Sequence, residues 1–230
     1  MRRQWLSTKV SYWLFGFTIF LNFIGLAARV IERLLGYNNT ELVRLVDVSE
    51  EANITSWFSS SLLLFSAIIL LLIARLKLVE KDTYARHWAF LSFIFFFLSL
   101  DETASLHELT IRPLRSLFST TGIFYYAWVI VAIPIVLSIG FLYLRFVFSL
   151  PGNTRNNFIL AGFLFIVGAV GFEMVEGLYR HSEIAGMYLS SIFVTIEELL
   201  ENLGVVVFIV ALLAYIKLQP NWNNNFFEIG

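Results

Sequence analysis

The sequence predicts an all-α, polytopic membrane helix bundle of six transmembrane helices, with both termini cytoplasmic. Three observations predict it. Of 230 residues, 58% are hydrophobic and 14% charged. Apolar runs recur at ~20 residues, the length that crosses a hydrocarbon core ~30 Å thick. The segments between them carry the turn and charge signals that a bilayer interior excludes. Cysteine is absent, which removes any disulfide framework or thiolate metal site, and a formal net charge of −1 gives a nucleic-acid partner nothing to hold.

The N-terminus begins like a signal peptide. Its apolar run from Val10 to Ala28 nevertheless outlasts the ~7–15-residue core of such a peptide, and Trp13 stands where an interfacial anchor would. It reads as a retained first span, 11–34. Residues 36–53, "GYNNTELVRLVDVSEEAN", form the one sizeable loop, with room for a short interfacial helix. The second span, 54–76, starts at "EEANITSW", where Asn53, Thr55 or Ser56 can cap it. Capping is the stronger reading there, and a lid formed by Glu51 and Asn53 the alternative. Spans 87–110, 124–147, 157–180 and 187–216 follow, making one transmembrane domain, 1–218, and a short polar tail, 219–230.

Lys and Arg fix the orientation. With the N-terminus in the cytoplasm, ten (Arg2, Arg3, Lys9, Arg75, Lys77, Lys81, Arg86, Arg145, Arg155, Lys217) fall inside and six (Arg29, Arg33, Arg44, Arg112, Arg115, Arg180) outside. Trp5, Trp13, Trp88 and Trp222 then mark the inner interface, and Trp57 and Trp128 the outer one. The expected location is a cell membrane, as a multi-pass protein of a prokaryotic inner or plasma membrane, with the lipid bilayer as the first partner.

Against this apolar background the acids stand out. Asp101 lies fifteen residues beyond Arg86, and Glu173 fifteen beyond Phe158. At ~1.5 Å per residue both come ~22 Å above the inner boundary, and Glu201, counted back from Lys217, comes to ~24 Å. At ~100° per residue, Asp101, Ser105 and Glu108 make one stripe on the third span, with Glu102 and His107 on either side. On the fifth, Glu173, Glu176 and Arg180 share a face that Ala169 and Gly162 continue inward as small residues for close helix approach. On the sixth, Glu197, Glu198 and Glu201 fall within an arc of ~100°. Asn22, Arg29 and Arg33 form a stripe on the first span that can present cations to the same interior.

The eight carboxylates face five nearby arginines (Arg29, Arg33, Arg112, Arg115, Arg180), an excess of three negative charges. Charged groups cost ~2.5–3.5 kcal/mol each near a bilayer centre, so the excess calls for protonation or a bound cation.

The segments "VDVSEEANITSWFSSSLLL", "LSLDETASLHE", "GFEMVEG" and "TIEELLENLG", in this order, resemble a widespread group of uncharacterised prokaryotic six-span membrane proteins. The resemblance covers nearly the whole chain. It implies that Glu51, Asn53, Asp101, Glu102, His107, Glu108, Glu173, Glu197, Glu198 and Glu201 stand at the group's motif positions, and it brings no activity with it.

Three readings compete. In the leading one, Asp101, His107, Glu108, Glu173, Glu176, Glu197 and Glu201 bind a divalent metal, with iron or manganese favoured by oxygen ligands and one imidazole. Arg29, Arg33 and Arg180 support the charge, and Glu102 and Glu198 are the candidate catalytic acids. The result would be a metal-dependent enzyme acting on a lipid-soluble or outer-face substrate. A histidine-rich zinc hydrolase is set aside, since only His107 and His181 are near. The second reading is a proton- or cation-coupled transporter, and an apolar floor free of ionisable residues beneath the acids weighs against it. In the third, the acids and arginines only fix helix packing. His87, on the cytoplasmic side, is unrelated to the site in all three.

Overall fold

The computed structural model describes residues 2–35, 41–48, 50, 52–179 and 185–219. Their regular elements are α1 (Arg2–Leu35), α2 (Glu41–Arg44), α3 (Ile54–Val79), α4 (Ala85–Ala104), α5 (Leu106–Phe118), α6 (Val129–Ser149), α7 (Gly152–Ile166), α8 (Glu173–Tyr179) and α9 (Ala185–Lys217). A 3-10 turn, Gly122–Phe124, precedes α6, and a π-helical stretch, Val167–Phe172, joins α7 to α8. Five stretches are long and apolar enough to cross a membrane: Lys9–Glu32, Ile54–Val79, Val129–Ser149, Gly152–Tyr179 and Ser190–Lys217. α4 and α5 meet the same criterion only when taken together, and they are bent by 78° at the break between them.

That bend corrects the expected third span, 87–110. The helix stops at Ala104, because Ser105 takes a left-handed conformation (φ 49°, ψ 43°) that an α-helix cannot propagate. The stripe Asp101–Ser105–Glu108 is thereby broken. Asp101 stays on α4, while Glu108 leaves with α5 and is exposed.

α9 is the central helix and packs on α1, α3, α7 and α8. α3 and α4 form a close hairpin for which small hydroxyl residues supply both space and hydrogen bonds. The Ser60 hydroxyl donates to the Ser99 carbonyl at 2.8 Å, and the Ser92 hydroxyl to the Ala67 carbonyl at 2.7 Å. The loop before α3 contains the expected short helix, α2. Asn53 caps α3 as expected, accepting from the Ser56 amide at 3.0 Å. Its side-chain amide also donates to the carbonyls of Arg44, Asp47 and Glu50, which commits the residue to holding the loop. Glu51 and the tail from residue 220, with Trp222, lie outside the described residues.

Two ends can be distinguished. At the Trp88 end, Trp88 meets Phe146 edge-on with centroids 4.9 Å apart, and Tyr215 at 4.8 Å. Leu70, Ile73, Phe146, Val206, Ile209 and Leu212 are all fully buried around them. Trp88 is therefore a core residue and not the interfacial anchor expected from belt statistics; it is 1% exposed. His87 stacks on Phe146 and belongs to the same aromatic core. The Asp101 end, where α1, α4 and α8 finish and α3, α6 and α9 begin, carries the acids.

Candidate functional site

The site is built on the bend. With Ser105 left-handed and its side chain not capping the helix, the amides of the first turn of α5 need an acceptor from elsewhere. Asp101, one turn back on α4, provides it: its Oδ1 accepts from the His107 amide at 2.8 Å. Its Oδ2 lies 2.8 Å from His107 Nδ1. One carboxylate thus fixes both the backbone and the ring of His107. Sequence spacing alone had put these two residues on different parts of one helix, and their direct pairing is a product of the break.

The far side of the His107 ring meets Trp128, with centroids 5.1 Å apart. Trp128, expected at the outer interface, is half-buried in the site. Its indole N–H and the His107 ring both act on the buried Glu173 carboxyl, the N–H as a hydrogen-bond donor. Trp128 is a site residue that sequence reasoning missed, because an interfacial and a site tryptophan look alike in a sequence. At the other end of α5, Arg115 donates twice to the Tyr125 carbonyl, at 3.0 and 2.6 Å, and stacks on the Tyr125 ring at 3.9 Å. α5 is thereby fastened at both ends to the residues around the site.

Glu173 owes its place to the π-helical stretch. In a regular α-helix, eleven residues make about three turns, so Gly162 and Ala169 would share its face. A π turn takes in one further residue and moves that face to Ala161 and Gly168. Packing follows the shifted register. A Cβ on Gly168 would lie 2.8 Å from Glu201 Cγ and 2.9 Å from the Glu197 carbonyl, while one on Gly162 would meet nothing within 4 Å. Lower down, Ala161 and Gly204 form the matching close approach: a Cβ on Gly204 would lie 2.9 Å from the Ala161 carbonyl. The expected small-residue stripe, Ala169 and Gly162, is corrected to Gly168 and Ala161.

The closeness of α9 to this stretch brings its acids to the site. Glu197 is within electrostatic reach of Glu173, Glu198, Glu176 and Glu102, and Glu201 of Glu198, Glu197, Glu102 and Glu173. Glu176 is buried and accepts from the Ser190 hydroxyl at 2.7 Å. Glu108 is exposed but still acts electrostatically on His107 and Glu173. Electrostatic reach is a looser condition than ligation. Among the described residues no three His, Asp or Glu side chains come close enough to hold a metal ion. The expected ligand set of Asp101, His107, Glu108, Glu173, Glu176, Glu197 and Glu201 is therefore not assembled as a chelate. Part of the reason is local: Glu108 departs with α5, and Asp101 is committed to His107.

Of the expected supporting cations, Arg29 pairs with Asp47 of the loop at 3.2 Å. The Arg33 side chain and Arg180, with His181, lie outside the described residues.

A family model described as "Domain of unknown function (DUF8692)" matches residues 11–216, and the chain belongs to that family. No curated protein and no solved structure matches it.

Proposed function

We propose that this member of the DUF8692 family is a multi-pass membrane enzyme that uses Asp101–His107 as its acid–base unit on a lipid-soluble or outer-face substrate. The single observation behind this reading is the ring geometry. Nδ1 is held by a carboxylate, while Nε2 has no hydrogen-bond partner among the described residues and the side chain is 32% exposed. A carboxylate so placed sets the tautomer and orientation of a histidine that exchanges protons through its other nitrogen. Glu173 acts on the ring electrostatically and is itself within reach of Glu197 and Glu201, and Glu102 and Glu198 are the candidate second acids. The apolar core at the Trp88 end closes the opposite side, which favours access from one face over passage through the bundle.

Purified protein in lipid nanodiscs, incubated with a total lipid extract of the expression host, tests this by untargeted mass spectrometry. Wild type should deplete one species and form a new one. His107→Asn should lower that conversion by about 10²–10⁴-fold, the usual worth of a general acid or base. Identical profiles for the two proteins contradict the reading. Metal analysis of the same preparation separates it from the metal-dependent version: iron or manganese retained through gentle purification, and lost in Glu201→Ala, would move the chemistry to a metal. Ion flux in sealed vesicles that Glu198→Gln abolishes would replace enzyme by transporter.

A further inference from the structure

Helix α5 is unlike the other long helices. It runs for thirteen residues, LHELTIRPLRSLF, has no buried residue, and leaves the axis of α4 at 78°. At ~100° per residue its side chains separate into three rows. His107, Ile111, Leu114 and Arg115 form a row turned toward the rest of the protein, all partly covered. Glu108, Arg112 and Ser116 form a polar, exposed row. Leu109, Pro113 and Leu117 form the third, apolar and bare: Leu109 is 70% and Leu117 72% exposed.

The exposed apolar residues do not end with α4. Along that helix Phe90, Phe93, Phe97 and Leu100 are exposed at spacings of three and four, and Leu109 is the next large apolar residue exposed along the chain. An axis far from that of α4, a polar row and an apolar row together describe a helix lying in the surface of a bilayer.

We infer that α5 is an interfacial helix, with Leu109, Pro113 and Leu117 sunk among the acyl chains of one leaflet and Glu108, Arg112 and Ser116 in water. Its occupant is thus the same bilayer that the spans cross. This inference rests on the membrane reading of the spans. It places His107, in the first turn of α5, at headgroup level, where a lipid substrate can reach Nε2 by moving sideways within the leaflet.

The absence of cysteine makes the test direct. Single cysteines at Leu109, Leu117, Arg112 and Ser116 are spin-labelled in phosphatidylcholine–phosphatidylglycerol nanodiscs, and each label is relaxed by oxygen, which concentrates in lipid, or by a water-soluble nickel chelate. Labels at 109 and 117 should favour oxygen several-fold more than those at 112 and 116. Equal preference on both rows overturns the inference, as does protection of 109 and 117 from both reagents, the signature of a protein partner on that row. A label at Phe141 of α6, a residue 76% exposed, serves as reference. If Phe141 favours oxygen while 109 and 117 favour nickel, only the inference on α5 fails; if Phe141 also favours nickel, the membrane reading fails with it.

Discussion

The Trp88 end and the Asp101 end are made by the same long helices and differ in almost every other respect. At the Trp88 end the helices are regular, the rings of Trp88, Phe146, Phe158 and Tyr215 interlock, and the buried Lys77 is matched locally. Lys77 sits 2.8 Å from both Glu80 Oε2 and Gln219 Oε1. At the Asp101 end two helices are irregular, one broken at Ser105 and one carrying the π-helical stretch, and several acids lie within reach of one another. Backbone irregularity and clustered acids coincide. Such conflicts with local preference lower stability, and they gather where a protein holds reactive groups. The Trp88 end holds the helices together so that the Asp101 end can bear its strain.

Substitutions can break this contrast. The largest effect is expected from Phe146→Ala, which removes a fully buried ring at the Trp88 end. A loss of about 3–5 kcal/mol is the usual cost of such a cavity. It should appear in denaturant titrations followed by circular dichroism, with the Asp101–His107 pair unchanged. A small effect would mean that stability does not reside in that end.

Gly168→Ala comes next. Its methyl group would press on Glu201 and on the Glu197 carbonyl, so about 1–3 kcal/mol of overpacking is expected. Gly162→Ala is its control: with open space around it, the change should be neutral or stabilise by up to about 1 kcal/mol. The reverse order in the same titrations would show that the register shift is absent.

Asp101→Ala should cost only about 0.5–2 kcal/mol through loss of the α5 cap. It should nevertheless alter His107 far more than its effect on stability would suggest, seen as a changed rate of imidazole modification by diethylpyrocarbonate relative to His87. Last, Ser116→Ala on the exposed row of α5 should stay within about 0.5 kcal/mol.

Much of this was legible in the sequence. Apolar length predicted the helices, and three of them were read as carrying acids at one level because a helix rises evenly with residue number. Two things broke that arithmetic. Ser105 leaves the helix through the backbone angles of a single residue, and no proline or glycine announces it. The π-helical stretch inserts a single residue, which rotates everything below it and turns Ala169 and Gly162 into Gly168 and Ala161. Periodicity assumes a constant turn and is blind to both. Trp88 failed for another reason: belt statistics describe populations, and Trp88 is an individual residue whose neighbours come from distant segments. Arg29 illustrates the same limit, since its pairing with Asp47 depends on how the loop folds back. Asn53 succeeded because a cap is local, with donor and acceptor only three residues apart.

The most direct measurement of the central claim is the tautomer of His107, read from the ring nitrogens by ¹⁵N magnetic resonance of histidine-labelled protein in nanodiscs, with His107→Gln used to assign the signal. If Asp101 holds Nδ1, the neutral ring carries its proton on Nδ1, leaves Nε2 as a bare acceptor, and loses this preference in Asp101→Asn. A neutral ring protonated on Nε2, or one that Asp101→Asn leaves unaltered, would contradict the claim that this pair is the protein's acid–base unit.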